Sequence, residues 1–164
     1  MGGSDRPVVI AYDGSAAARR AVIDCAGLLS SHRTLVVTVW EPGLAYAMPP
    51  PATGDMLMAP AVGPNVALGV DRAVHEHAER VSRDGAQLAR SLGLRAEPLA
   101  VPDGGDVPST LLRIAREHRA AAIIVGSRGL GGLRARLEGS TSKSLLKHAA
   151  CPVVIVHDTD DRDD

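Results

Sequence analysis

The chain alternates between two kinds of apolar pattern along nearly its whole length. Five short runs rich in aliphatic residues, at positions 8–12, 35–40, 94–101, 122–125 and 153–156, predict strands. Between them, apolar residues recur every three to four positions, which predicts four helices near residues 18–29, 70–92, 107–118 and 140–149. Strands separated in this way by helices form a parallel sheet with right-handed crossovers. The pattern therefore predicts an α/β fold with helices on both faces of a doubly wound, five-stranded parallel sheet.

The apolar content of each predicted strand indicates its place in that sheet. The first, second and fourth strands are apolar on both faces, as buried inner strands of parallel sheets are. The third alternates polar with apolar residues and contains Pro98, which is tolerated mainly at a sheet edge. The strand order 3-2-1-4-5 satisfies these constraints and leaves the fifth strand at the other edge. Because residues 153–156 are apolar and uncharged, we expect a homodimer formed through this strand.

The length of the chain fits one domain. Its 164 residues compare with a prior of roughly 150 per domain, and we assign residues 1–157 to a single domain. A segment rich in Pro, Gly, Met and Ala, residues 41–69, shows no periodicity and is predicted to be a long loop. The nearly all-acidic residues 158–164 predict a disordered tail.

Composition argues against several classes of protein. The net charge of −1 gives no concentrated basic surface for nucleic acid. Arg113, Arg116 and Arg119 are expected on the solvated side of the third helix. No apolar run approaches the roughly 18 residues that span a bilayer, so we expect no membrane partner. Two distant cysteines, Cys25 and Cys151, are interpreted as reduced core residues, and a cytoplasmic location is expected.

Two unusual segments follow the first and fourth predicted strands. Asp13 begins an Asp-Gly-Ser tripeptide, and Gly126 begins a loop rich in glycine and arginine. In the order 3-2-1-4-5 the connections diverge between strands one and four, and ligands of open parallel sheets bind at the carboxyl ends there. The two segments are thus predicted to face each other at the binding position.

The second segment has a spacing suited to a polyphosphate. It reads Gly126-x2-Gly129-x9-Gly139-Ser140, and Ser140 opens the last helix. Glycines let backbone amides approach an anion closely, and a helix N-terminus adds unpaired N–H donors. The spacing is neither the Walker loop nor the dinucleotide G-x-G-x-x-G fingerprint. A plain turn followed by an ordinary helix start remains open, as does a turn role for Asp13.

Three segments resemble the signatures of the universal stress protein family. They are Val-Val-Ile-Ala-Tyr-Asp-Gly-Ser at 8–15, the glycine loop, and Lys-His-Ala-Ala-Cys-Pro-Val-Val-Ile-Val at 147–156, and the resemblance runs from about residue 7 to 157. It implies a Rossmann-like fold of the adenine nucleotide alpha hydrolase type. Because the full glycine loop marks the ATP-binding branch of that family, the resemblance also implies ATP as ligand.

The resemblance assigns a role to each residue of the expected site. Asp13 is expected near the nucleoside with Ala11 alongside, and the main chain of Val39 is expected against adenine. Residues that should line the ribose and phosphates are Gly126, Ser127, Arg128 and Gly129. Residues that should hold the β- and γ-phosphates are Gly139, Ser140, Thr141 and Ser142. We expect Mg²⁺ to travel with the triphosphate rather than to occupy a metal site of the protein.

The sequence offers no catalytic constellation, since no nucleophile and base stand at a motif spacing. We therefore predict no catalytic residue and no metal ligand set. The leading hypothesis is an ATP-binding regulatory module of the stress response, with at most slow hydrolysis. The alternatives are a slow ATPase or autophosphorylating enzyme, and an interaction protein that binds no nucleotide.

Overall fold

A computed structural model describes residues 6–43, 64–127 and 140–157. Strands and helices alternate along these ranges as the sequence predicts. The elements are β1 (Val8–Ala11), α1 (Ala16–Leu29), β2 (Arg33–Trp40), α2 (Pro64–Ser91), β3 (Arg95–Pro102), α3 (Val107–Glu117), β4 (Ala122–Gly126), α4 (Ser140–His148) and β5 (Val153–Val156).

The strands form one parallel sheet in the order β3-β2-β1-β4-β5, which confirms the predicted fold class and strand order. β1 lies at the centre, with Val8 in register with Thr34 of β2 and with Ala122 of β4. Pro98 lies in the edge strand β3. A missing N–H is tolerated at an edge because an edge strand has a side without a ladder partner.

Alternate residues of β1 enter two separate cores, one on each face of the sheet. Val8 and Ile10 pack with residues of α1 and α2. Val9 and Ala11 pack with residues of α3 and α4. Two covered faces explain why the inner strands are apolar throughout rather than alternating.

The second helix begins earlier than the sequence predicts. We expected a loop over 41–69, but α2 starts at Pro64, so that prediction is wrong for its last six residues. Proline suits the first turn of a helix because its φ is preset and its missing N–H needs no partner there. Ala67 is buried within the added turn. The rest of the predicted loop beyond residue 43, and the acidic tail 158–164, lie outside the described residues, and the single domain over 1–157 stays a prediction.

A glycine in α2 allows Tyr12 to pack beneath that helix. A Cβ atom at Gly85 would lie 2.7 Å from Cδ1 and 2.8 Å from Cε1 of the Tyr12 ring. That ring is only 1% exposed, so it has little room to move. Tyr12 immediately precedes Asp13, and Gly85 therefore helps to set the position where β1 ends.

We expect Gly85→Ala to lower the free energy of unfolding by about 1–3 kcal/mol, although alanine is the better helix former. The matched control is Gly69→Ala in the same helix, where an added Cβ meets nothing within 4 Å. The control should raise stability by up to about 1 kcal/mol. Urea denaturation of both variants checks the pair, and equal gains in stability would contradict the packing role of Gly85.

Candidate functional site

A narrow cleft lies where the carboxyl ends of β1 and β4 meet the start of α4. Among the residues predicted from the sequence, it brings together Ala11, Asp13, Gly126, Thr141 and Ser142. Ala18 and Val125 complete its lining. The segments after strands one and four therefore meet at one cleft.

Asp13 belongs both to a tight turn and to the cleft. Its Oδ1 accepts a hydrogen bond from the backbone N–H of Ser15 at 2.9 Å, and Gly14 between them has a φ of 79°. Ser15 then caps α1, because its hydroxyl accepts from the N–H of Ala18 at 3.1 Å. The turn interpretation of Asp13 is thus correct, and the same turn holds the carboxylate at the cleft.

The residue before Asp13 is fixed by two hydrogen bonds to β2. The N–H of Tyr12 donates to the carbonyl of Val37 at 2.8 Å, and the hydroxyl of Thr38 donates to the carbonyl of Tyr12 at 2.8 Å. Thr38 is buried, so its hydroxyl makes this bond away from competing water. These two hydrogen bonds fix the backbone immediately before the Asp13 turn. The sequence alone did not predict them.

Gly126 lines the cleft, and the packing around it leaves no space for a side chain. A Cβ atom at this position would lie 2.8 Å from the carbonyl oxygen of Ala17 and 2.9 Å from its carbonyl carbon. The end of β4 thus passes directly against the first turn of α1. The next residue, Ser127, donates its N–H to the carbonyl of Val156 at 2.8 Å and is not part of the cleft lining.

The start of α4 presents polar groups to the cleft. The helix begins at the exposed Ser140, and the next two residues, Thr141 and Ser142, line the cleft. The first N–H groups of a helix lack acceptors within it and carry a partial positive charge. No acidic side chain in the first turn offsets that charge. This end of the cleft favours an anion.

The other predicted site residues lie apart from the cleft or outside the described ranges. Val39 lies in β2, in register with Val101 of β3, and does not line the cleft. Arg128, Gly129 and Gly139 lie outside the described residues. Sequence reasoning missed Ala18 and Val125 as lining residues, because small aliphatic side chains have no chemical pattern that marks a site.

Within the ranges that the structure describes, no helix is long and apolar enough to cross a membrane. In the same ranges, no three His, Cys, Asp or Glu side chains come together as a metal site.

The model of the universal stress protein family matches residues 6–157. The chain belongs to this family. Universal stress protein Rv2623 of Mycobacterium tuberculosis is 37% identical over 112 residues, which cover 61% of this chain and 37% of that protein. The chain thus matches little more than a third of that relative's length. A universal stress protein of Thermus aquaticus is 28% identical over 153 residues, which cover 92% of this chain and 98% of the relative.

Solved structures of other family members share the fold at low sequence identity. The universal stress protein UspA of Lactobacillus plantarum superposes with a TM-score of 0.69 at 19% identity, covering 93% of this chain and 97% of that one. The protein of Archaeoglobus fulgidus in complex with dAMP gives 0.59 at 19% identity, with 92% and 97% covered. A family protein of Arabidopsis thaliana with AMP bound gives 0.58 at 18% identity, with 94% of each chain covered.

Proposed function

We propose that this universal stress protein binds ATP in the cleft between β1 and β4 and acts as a nucleotide-dependent regulatory module. The observation that carries the proposal is the meeting of the Asp13 turn with the start of α4 at Gly126. A carboxylate and the first amides of a helix at the same cleft suit a ligand that carries both hydroxyls and phosphates. Structures of family members with AMP or dAMP support an adenine nucleotide as the ligand.

The phosphates are proposed to bind at the start of α4. The amides of the first helical turn and the hydroxyls of Ser140, Thr141 and Ser142 supply donors there. In this proposal Gly126, Ser127, Arg128, Gly129 and Gly139 contribute the remaining phosphate and ribose contacts. Mg²⁺ accompanies the triphosphate, held by its oxygens and by water.

The nucleoside is proposed to lie beside the end of β1. Asp13 accepts hydrogen bonds from the ribose hydroxyls, and Ala11 leaves room for the sugar because its side chain is small. The main chain of Val39, one strand further along the sheet, is proposed to bind adenine. The proposed ligand thus extends from the carboxyl ends of β1 and β4, the topological switch point where ligands of open parallel sheets bind, toward β2.

The regulatory part of the proposal rests on the edge strand β5. Val154 is 38% exposed, and its strand carries no charged side chain that would oppose pairing. We propose a cytoplasmic homodimer joined through β5. Ser127, which directly follows the cleft residue Gly126, connects the two regions because its N–H donates to the carbonyl of Val156. Nucleotide occupancy can then alter the dimer edge through a single hydrogen bond.

The deciding experiment identifies the nucleotide and measures turnover. We expect native mass spectrometry and calorimetry to give one ATP per chain, with GTP bound at least about tenfold more weakly. Turnover should stay far below about 1 per second, the lower end of ordinary enzymes. Faster turnover or a stable phosphoprotein would favour the enzyme alternative, and no nucleotide binding at all would favour the interaction protein.

Asp13→Asn tests the ribose contact without destroying the turn, because the amide oxygen can still accept from Ser15. We expect adenosine to bind about five- to tenfold more weakly, since a neutral acceptor forms a weaker hydrogen bond than a carboxylate. ATP should lose less affinity, because removal of the negative charge also relieves repulsion of the phosphates. Calorimetry with both ligands separates the two effects.

The control is Asp24→Asn, which alters an exposed carboxylate of α1 paired with Arg20. It should leave both affinities unchanged. If Asp13→Asn also binds adenosine as the parent protein does, the nucleoside lies elsewhere.

A further inference from the structure

A second cleft lies at the opposite edge of the sheet, at the amino ends of β4 and β5. It has a volume of about 230 Å³ and lies between the last turns of α3 and α4. Leu112, Ala115 and Ile123 form its apolar floor. The first cleft is lined further along the same strand, by Val125 and Gly126, and the two clefts share no lining residue.

Three arginines surround this apolar floor: Arg6, Arg116 and Arg119. Arg6 donates from Nε to the carbonyl of Arg119 at 3.0 Å and from Nη2 to the carbonyl of Ala120 at 3.1 Å. These bonds fasten the segment before β1 to the segment before β4. They satisfy donors of the guanidinium, but carbonyls do not neutralise its charge.

The other two arginines differ from Arg113 in their charged neighbours. Within the described ranges, neither Arg116 nor Arg119 pairs with a carboxylate, whereas Arg113 of the same helix bonds Glu117 at 2.9 Å. Two guanidiniums beside a low-dielectric floor create a positive potential inside the cleft. A carboxylate is a natural counter-ion because it matches the fork of N–H groups on a guanidinium.

Arg119 occupies a backbone position that ordinarily belongs to glycine. Its φ is 50°, and the N–H groups of Arg119 and Ala120 bond the carbonyls of Arg116 and Ala115 at 3.1 and 2.8 Å. This is the Schellman ending of a helix, in which the left-handed residue is usually glycine because any Cβ is strained there. The arginine thus places a charged side chain at the cleft at a cost that glycine avoids.

We propose that this second cleft binds a small organic carboxylate with a short hydrocarbon tail. The charge selects the carboxylate, and the floor of Leu112, Ala115 and Ile123 selects the tail. The volume of about 230 Å³ equals roughly eight water molecules at about 30 Å³ each, which limits the ligand to a similar number of non-hydrogen atoms. Hexanoate has the required charge, tail and size.

Cys151 lines the cleft and supplies a chemical reporter of occupancy. Burial raises the pKa of its thiol, and the neighbouring Arg6 charge opposes that rise only in part. The thiol is therefore neutral at pH 7 and belongs to the apolar lining. Cys25, the other free cysteine, is 3% exposed and packs in the core on the opposite face of the sheet, which makes it an internal reference.

Titration with hexanoate, followed by amide NMR and calorimetry, tests the proposal. We expect saturable shifts at Leu112, Ala115 and Ile123, with a dissociation constant in the low millimolar range or below. Hexanamide, which lacks the charge, and acetate, which lacks the tail, should each bind at least about tenfold more weakly. Inorganic phosphate should not compete with hexanoate. No saturable change up to about 20 mM hexanoate, or equal binding of acetate or phosphate, overturns the proposal.

Variants assign the binding to the arginines. Arg116→Gln and Arg119→Gln should each weaken hexanoate about tenfold, whereas Arg113→Gln, the matched control on the same helix, should not. Arg119→Gly should weaken binding by the same factor yet raise the urea midpoint, because glycine relieves the left-handed backbone. Unchanged affinity in both Arg116→Gln and Arg119→Gln contradicts the assignment.

Alkylation gives a readout independent of affinity. Hexanoate should slow the reaction of Cys151 with N-ethylmaleimide, followed peptide by peptide by mass spectrometry, and should leave Cys25 unchanged. Acetate at the same concentration should give no protection. Equal rates with and without hexanoate would place the ligand outside the cleft.

Discussion

Replacing Gly126 with alanine is expected to lower the free energy of unfolding by about 1–3 kcal/mol and to weaken ATP binding at least about tenfold. The added Cβ would stand 2.8 Å from the carbonyl oxygen of Ala17, which belongs to the backbone of α1 and cannot rotate away. Either the end of β4 or the first turn of α1 must shift. Both carry residues that line the first cleft, Ala18 in α1 and Val125 and Gly126 in β4, so the shift changes the shape of that cleft.

The control for this substitution is Gly27→Ala in α1. An added Cβ there meets nothing within 4 Å, and the residue is exposed. We expect the control to gain up to about 1 kcal/mol, because alanine favours the helix over glycine, and to bind ATP normally. Urea denaturation and calorimetry give the two quantities for each variant.

Two results for Gly126→Ala would be informative in different ways. Unchanged stability would mean that the contact with Ala17 is looser than the distance of 2.8 Å implies. Reduced stability with unchanged ATP affinity would mean that the nucleotide does not depend on the geometry at the end of β4. The packing role and the proposed binding role can therefore fail separately.

The sheet was predictable from the sequence because burial on two faces leaves a clear signal. β1 and β4 are apolar at every position, whereas β3 carries Pro98 and the charged Glu97 and Arg95. Only an order with β3 at an edge accommodates such a strand. The position of the first cleft followed from that order, because the carboxyl ends of neighbouring parallel strands lie at the same edge.

Features that depend on tertiary contacts were not predictable. The sequence indicates that Gly126 and Gly85 are unusual, but not that Ala17 and Tyr12 are the groups they accommodate. Likewise, Arg113, Arg116 and Arg119 follow helical spacing and were interpreted as one solvated side of the third helix. Helical spacing ceases to apply at Glu117, where α3 ends. Arg119 lies beyond that end, has a left-handed backbone conformation and lines the second cleft.

Leu145→Ala is expected to have the largest effect on stability, a loss of about 2–5 kcal/mol. Leu145 is fully buried among residues of β1, β4 and α3, and only Ser142 is buried with it in α4. Leu146→Ala is the matched control, because the next side chain is 52% exposed. The control should change stability by no more than about 0.5 kcal/mol. Urea denaturation measures both, and similar losses in the two variants would show that Leu145 does not anchor the helix.

Loss of the Leu145 side chain should destabilise α4 more than it destabilises the sheet. The helix has nine residues, fewer than the roughly 12–15 that an isolated helix needs, so its stability comes from packing. In Leu145→Ala we expect α4 amides to exchange with solvent faster than those of β1, which stays covered by both cores. The same opening should weaken ATP in proportion to the fraction of molecules with α4 docked, because the proposed phosphate donors are the first amides of this helix. Saturating ATP should then restore slow amide exchange in α4 of Leu145→Ala. Hexanoate in the second cleft should leave the ATP affinity of the control variant, Leu146→Ala, unchanged. If α4 and β1 exchange together, the helix and sheet unfold as one unit, and the weakening of ATP must come from global instability rather than from a released phosphate site.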